Sequence, residues 1–114
     1  MENILYNELR KRGFNVDVGV IVVNTRDGQE KKVRKQYEID FVCNKGSQKN
    51  YIQSAFAISD RKKLEQEQRP FSYIDDSFKK IIVVKDAPPP WYTEEGILVM
   101  SIFDFLLDPD SLKI

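Results

Sequence analysis

A chain of 114 residues, 41% hydrophobic and 32% charged, has the composition of one globular domain with one modest core. Its 18 basic and 18 acidic residues cancel, so the molecule as a whole offers no net attraction for nucleic acid, although local clusters can. It has no histidine and no glycine-rich phosphate loop, which removes His-Cys zinc sites, Ser-His triads, imidazole acid–base chemistry, and ATP binding or hydrolysis by this chain alone.

The first pattern is helical. Over residues 2–12, Ile4, Leu5 and Leu9 form one stripe, the last turn is basic, and Gly13 is placed to stop the helix. A helix that starts right after Met1 reads as part of a fragment of a longer protein. Residues 14–23 are rich in valine and predict a strand, and Asn24-Thr25-Arg26-Asp27-Gly28 is turn chemistry that favours a hairpin. Residues 29–34 are polar and basic and suit the hairpin's tip or the start of its return arm. A second strand over 35–43, a turn at Asn44-Lys45-Gly46-Ser47 and a third strand over 50–58 complete an antiparallel meander. On the third strand Ile52, Phe56 and Ile58 share one face, and Gln53 shares the other with Tyr51, Ala55 and Ala57.

Ser59-Asp60 caps a highly charged helix over 61–69, which Pro70 ends; Phe71, Tyr73 and Ile74 are expected to pack this region onto the sheet. Ile81, Ile82, Val83 and Val84 form a continuous apolar run, which predicts a strand buried on both faces and parallel to a neighbour. Residues 86–90 form a proline-stiffened loop followed by Trp91 and Tyr92, a fifth strand covers 97–101, and Ser101 opens a short helix that Asp108-Pro109 breaks. Cys43 stands alone, so no disulfide framework exists, and the expected setting is reducing and cytoplasmic, with Cys43 a buried, inert thiol. No apolar run approaches the roughly 18 residues of a membrane span.

The second strand carries the chemistry. In Gln36-Tyr37-Glu38-Ile39-Asp40-Phe41-Val42, strict alternation puts Tyr37, Ile39 and Phe41 on one side and Gln36, Glu38 and Asp40 on the other. Two carboxylates side by side repel each other and resist burial without a cation or donors to compensate. Either this is a half-exposed strand with a solvated acidic face, or it is half of a divalent-metal site.

The order helix, three-strand meander with acids on the second strand, helix, strand is that of the PD-(D/E)XK restriction-endonuclease-like core. At residue level the chain resembles the DUF4143 domain, which lies at the C-terminus of a group of bacterial and archaeal AAA-superfamily ATPases. The resemblance rests on Glu2-Asn3-Ile4-Leu5-Tyr6-Asn7-Glu8-Leu9 with Arg12-Gly13, on Glu38-Ile39-Asp40-Phe41-Val42, and on Tyr51-Ile52-Gln53-Ser54-Ala55. It continues through Lys79-Lys80-Ile81-Ile82-Val83-Val84-Lys85-Asp86, Glu95-Gly96-Ile97 and Asp104-Phe105-Leu106-Leu107, and so spans residues 2–107.

The resemblance implies an α/β domain over residues 1–114, with a central mixed sheet flanked by helices, cut from the C-terminal part of a larger ATPase. It implies a site of a helix acid, a strand aspartate, an acid on the next strand and a lysine two positions on. These positions fall on Glu2, Asp40, Gln53 and Ala55, so the last two depart from the pattern. Catalysis, if present, would be Mg²⁺- or Mn²⁺-dependent phosphodiester hydrolysis, with Asp40, Glu38 and Glu2 as metal ligands and Gln53 as a neutral ligand or positioner. Glu8, Lys35 and Lys49 are the substitutes within reach of such a site.

Two function classes follow. One is a nuclease-fold accessory domain of the ATPase that binds DNA or RNA, for which Lys31-Lys32, Arg34-Lys35 and Arg61-Lys62-Lys63 are the candidate phosphate contacts. The other is a catalytically silent scaffold for protein interaction. A basic groove around Asp40 favours the first; an apolar patch elsewhere favours the second.

Overall fold

The computed structural model describes residues 1–26, 28–29, 31–85 and 89–113. Helix α1 (Glu2–Lys11) forms because Leu5 and Leu9 lie one turn apart and are both buried. Gly13, at φ +92°, stops it. The Gly13 N–H donates to the Arg10 carbonyl (3.0 Å) and the Phe14 N–H to the Leu9 carbonyl (3.1 Å), the paired closure that a left-handed glycine permits.

Six strands make one sheet: β1 (Asn15–Arg26), β2 (Lys32–Lys45), β3 (Gln48–Ala55), β4 (Lys79–Val84), β5 (Trp91–Tyr92) and β6 (Leu98–Ser101). Their order across the sheet is β1-β2-β3-β4-β6-β5. The first three form the expected antiparallel meander. β4 lies parallel to β3, β6 parallel to β4, and β5 returns antiparallel to β6. The chain therefore has the mixed α/β architecture anticipated, with helices flanking the sheet. Ile81, Ile82, Val83 and Val84 sit in its centre at no more than 1% exposure, as a strand enclosed on both faces requires.

Each face of the sheet buries its own cluster. Leu5 and Leu9 of α1 and Phe105 of α3 (Ile102–Leu107) cover Phe41, Cys43, Ile52, Ile81, Val83, Leu98 and Met100. On the other face Phe71 and Ile97 cover Ile39, Tyr51, Ala55, Ile82, Val84 and Val99, with Leu64 of α2 (Arg61–Gln68) packed alongside. Phe71 lies in a 3-10 turn, Arg69–Tyr73, and Ile74 follows it onto the same cluster, where the sequence placed them. Caps are also where the sequence puts them. The Asp60 carboxylate accepts the Lys63 N–H at 2.8 Å, and the Ser101 hydroxyl accepts the Asp104 N–H at 3.0 Å. Cys43 is fully buried, and burial pushes its thiol pKa up to about 12, so it is inert as expected. Among the described residues no helix is long and apolar enough to cross a membrane.

Five details differ from expectation, beginning with Ile4, which is 50% exposed and outside the buried stripe of α1. The strict alternation of β2 is broken, because Gly19 of β1 pairs with Ile39 while Asp17 pairs with Val42. Two steps on β1 match three on β2, so Asp40 and Phe41 together oppose Val18 in a β-bulge. Ile39 and Phe41 consequently enter clusters on opposite faces of the sheet, rather than sharing one. β3 ends at Ala55, and Phe56 beyond it is 69% exposed. Trp91 and Tyr92 form a short edge strand because they pair with Val99 and Leu98. Asn24, Thr25 and Arg26, expected in the turn, instead extend β1 by pairing with Arg34, Val33 and Lys32, and the Asp27 turn position and the loop positions 86–88 lie outside the described residues.

Candidate functional site

The bulge decides where the acids of β2 point. An extra residue in one strand leaves a backbone N–H without a ladder partner, and a buried N–H needs an acceptor. Here the Gln53 side chain supplies it: its Oε1 accepts the Asp40 N–H at 2.8 Å. Its Nε2 lies 3.5 Å from the carbonyls of Glu38 and Glu67, so the amide spans β2, β3 and the last turn of α2. Gln53 is 6% exposed and belongs to the face of Tyr51 and Ala55. The sequence placed it on that face correctly.

The Asp40 side chain goes the other way, to the face covered by α1. Its Oδ2 accepts the Ser54 N–H at 2.8 Å and the Ser54 hydroxyl at 3.1 Å. The same hydroxyl lies 3.3 Å from Oε1 of Glu2. A serine hydroxyl has one proton, so it serves one carboxylate at a time. Glu2 and Asp40 therefore meet through Ser54, which occupies the space between them. Ser54 was not singled out from the sequence. Its signal is parity: it lies between Gln53 and Ala55 and must face the opposite side.

The remaining candidates do not converge on this seat. Glu38 is exposed. Glu8 is engaged by Arg12 at 2.9 Å. Lys35 pairs with Val23 far out on the β1–β2 arm, and Lys49 lies over the rings of Tyr51 (5.3 Å) and Phe78 (5.8 Å). Ala55, at the lysine position of the nuclease pattern, is buried in the second cluster.

Two carboxylates, Asp40 and Glu2, share this seat, and the Ser54 hydroxyl fills the space between them. A hard cation of the Mg²⁺ type needs converging oxygens, usually with one or two carboxylates among them. Oδ2 of Asp40 already accepts two hydrogen bonds, and the Gln53 carbonyl oxygen is spent on the bulge behind the strand. Among the described residues no three acidic or thiol side chains are grouped to hold an ion. Of the three expected ligands, Asp40 and Glu2 meet through Ser54, and Glu38 is exposed on β2. What the arrangement does is hold the register of β2 against β3 from both sides of the sheet.

Replacing Gln53 by Leu checks this. Leucine removes the one acceptor of the Asp40 N–H and the one donor that faces the two carbonyls, and a buried unsatisfied N–H costs about 1–3 kcal/mol. Urea unfolding should show a loss in that range, with no other change in the protein's chemistry. A variant as stable as the parent would mean the bulge N–H has no need of the amide.

A second polar group lies on the α2 side. The Tyr51 hydroxyl donates to Oδ2 of Asp76 at 2.6 Å, and Lys80 reaches Oδ1 of the same carboxylate at 3.4 Å. Burial, then the bond to Asp76, push the Tyr51 phenol up to about 12. Asp76 opposes its own partial desolvation with these donors and ends below the usual carboxylate range. Asp76 and Lys80 line one wall of an open cavity of about 550 Å³, whose other walls carry Glu65, Arg69 and Glu95. Charges of both signs face it, so it favours no ligand class.

The basic clusters separate in space. Arg61 and Lys63 face carboxylates on or near α2: Glu65 at 3.7 Å, Glu94 at 3.9 Å and Glu67 at 2.9 Å. Arg26, Lys32 and Arg34 lie on the outer part of the β1–β2 arm. Trp91 packs against the second cluster.

No family model matches the chain, and no solved structure matches it. The chain is similar to an uncharacterized protein of Haemophilus influenzae (strain Rd), with 31% identity over 110 residues. That alignment takes in 94% of this chain and 22% of the relative, so the chain spans about a fifth of the length of the curated relative it matches.

Proposed function

We propose that this domain is a catalytically silent interaction module, a nuclease-type fold kept as an accessory part of a longer cytoplasmic protein. The resemblance to the C-terminal DUF4143 domains of AAA-type ATPases suggests an ATPase as the remainder. One observation carries the reading: the Asp40 carboxylate is seated on the Ser54 N–H and hydroxyl. Those bonds make it a clamp between two strands, and the lysine that would steady a phosphorane is replaced by buried Ala55.

The surroundings of Asp40 support a protein partner over nucleic acid. Glu2 and Glu38 add negative charge on its side, and opposite the bulge stands exposed Val18. The arm's cations lie beyond Val22, toward the tip. Phosphate would meet carboxylates at Asp40 and cations only at a distance from it.

The test is calorimetric titration of Mn²⁺ and of Mg²⁺ into the domain, beside Asp40→Asn. The expected result is no saturable heat from either protein, with the variant losing about 1–2 kcal/mol of stability because its amide is a poorer acceptor for two donors. Saturable binding by the parent that disappears in the variant would overturn the reading and restore the metal-dependent nuclease.

A further inference from the structure

We infer that two copies of this chain pair antiparallel along β1, joining their six-stranded sheets across a two-fold axis. The inference rests on the interaction-module reading and names its partner.

β1 is the outermost strand of the sheet, so its far side is a row of backbone donors and acceptors without a ladder. Stable monomers blunt such an edge with charges, prolines, bulges or brevity. The other edge follows that rule: β5 has two residues and comes directly after Pro89 and Pro90. β1 does not. It runs 12 residues, the bulge of this ladder is on β2 rather than on it, and from Val18 to Thr25 it carries no charge and no proline. Its side chains add an apolar stripe. Val18, Val20 and Val22 point to one face and are 64%, 53% and 42% exposed. They alternate with Ile21, which packs against the second cluster.

The occupant of such an edge must be an extended, β-branched strand that brings no uncompensated charge. β1 itself meets that description. A two-fold axis through Ile21 sets Val20 of one copy opposite Val22 of the other, twice, and Gly19 opposite Val23. The only charges on the strand are Asp17 near one end and Arg26 at the other. Antiparallel pairing sets Asp17 opposite Thr25, beside the partner's arm end with its Arg26, whereas parallel pairing in register would set Asp17 on Asp17. The arm as a whole repeats this polarity. Asp17 and Asp40 lie at its base and Arg26, Lys32, Arg34 and Lys35 farther out, so an antiparallel mate brings the level of Asp40 against that of Arg34. A two-fold contact of this kind closes on itself and ends at a dimer.

The experiment is sedimentation equilibrium of the chain and two variants, with circular dichroism to confirm that each is folded. The parent is expected to pass from monomer to dimer mass between about 1 µM and about 1 mM. Val20→Lys introduces two ammonium groups beside the axis and should weaken association by about 100-fold. Combining it with Val22→Glu should restore dimerisation, because each new ammonium then faces a new carboxylate across the axis. A parent that stays monomeric throughout this range overturns the pairing, and assigns the edge to a strand from another protein. So does a double variant that dimerises no better than Val20→Lys. Neither result touches the Mn²⁺ and Mg²⁺ titration, which is made separately and on which the silent-module reading stands or falls.

Discussion

Replacing Arg12 by Ala should lower the stability of the domain by about 3 kcal/mol, the low end of what breaking a buried ion pair costs. Spacing alone would put the Glu8–Arg12 pair among surface helix pairs, which are worth about 0.3–0.5 kcal/mol. Burial changes the class: the Arg12 side chain is 8% exposed. Its Nε donates to Glu8 at 2.9 Å, and Nη1 donates to the Ser111 hydroxyl at 3.0 Å. Nη2 donates to the carbonyls of Phe105 and of Asp108, the latter at 3.1 Å. The guanidinium also stacks over the Phe105 ring, 4.3 Å from its centre. Truncation leaves the Glu8 carboxylate without its cation and reduces the Phe105 and Asp108 carbonyls to their bonds from Ser111. Arg12→Lys keeps the charge, but a single ammonium cannot reach these acceptors from one position, so it should recover less than half of the loss. Chemical unfolding of the three proteins checks this. Arg12→Ala within about 0.5 kcal/mol of the parent would place the network among ordinary surface pairs.

Gly19→Val should destabilise by about 3 kcal/mol, at the upper end of the range for overpacking. The sign is the informative part. At a half-exposed strand position, valine in place of glycine is favourable by up to about 1 kcal/mol, through backbone entropy and strand propensity. Gly19 has no unusual φ to protect; what it lacks is room. A Cβ there would stand 2.8 Å from Cγ2 of Val42 and 3.1 Å from Cβ of Ile39. Those two side chains flank the bulge and close over the glycine, so relief requires moving β2 itself. Val18→Ala next to it is the control: Val18 is exposed, and its truncation should stay within about 0.5 kcal/mol. A midpoint in urea that rises for Gly19→Val would refute the close approach.

These two sites mark where the sequence stopped being legible. Features decided within a few residues could be read directly. Leu5 and Leu9 with their Gly13 stop, the caps at Asp60 and Ser101, and the enclosed run at Ile81–Ile82–Val83–Val84 all formed where expected, while Ile4 of the same stripe is exposed. The bulge could not be read, because alternation in Tyr37-Glu38-Ile39-Asp40-Phe41 looks perfect until the partner strand is known. One inserted residue then reverses the facing of everything beyond it. The candidate site inherited that uncertainty. Asp40 and Gln53 are neighbours, yet they act on opposite sides of the sheet, and Ser54 decides what Asp40 can do. Arg12 belongs to the basic last turn that the pattern predicts. Apart from Glu8, its partners are 93 to 99 residues away along the chain, beyond any local pattern.

That separation has a kinetic side. During synthesis α1 precedes the rest of this domain, and Ser111 follows nearly a hundred residues later, at roughly 5–20 residues per second. For several seconds the nascent helix carries a cation whose acceptors do not yet exist, and Leu5 and Leu9 lack the Phe105 ring that completes their cluster. The meander can collapse early, since its contacts are local. α1 can dock finally only after Phe105 to Ser111 have left the ribosome, so closing the first helix onto the sheet is a late event in the folding of this chain.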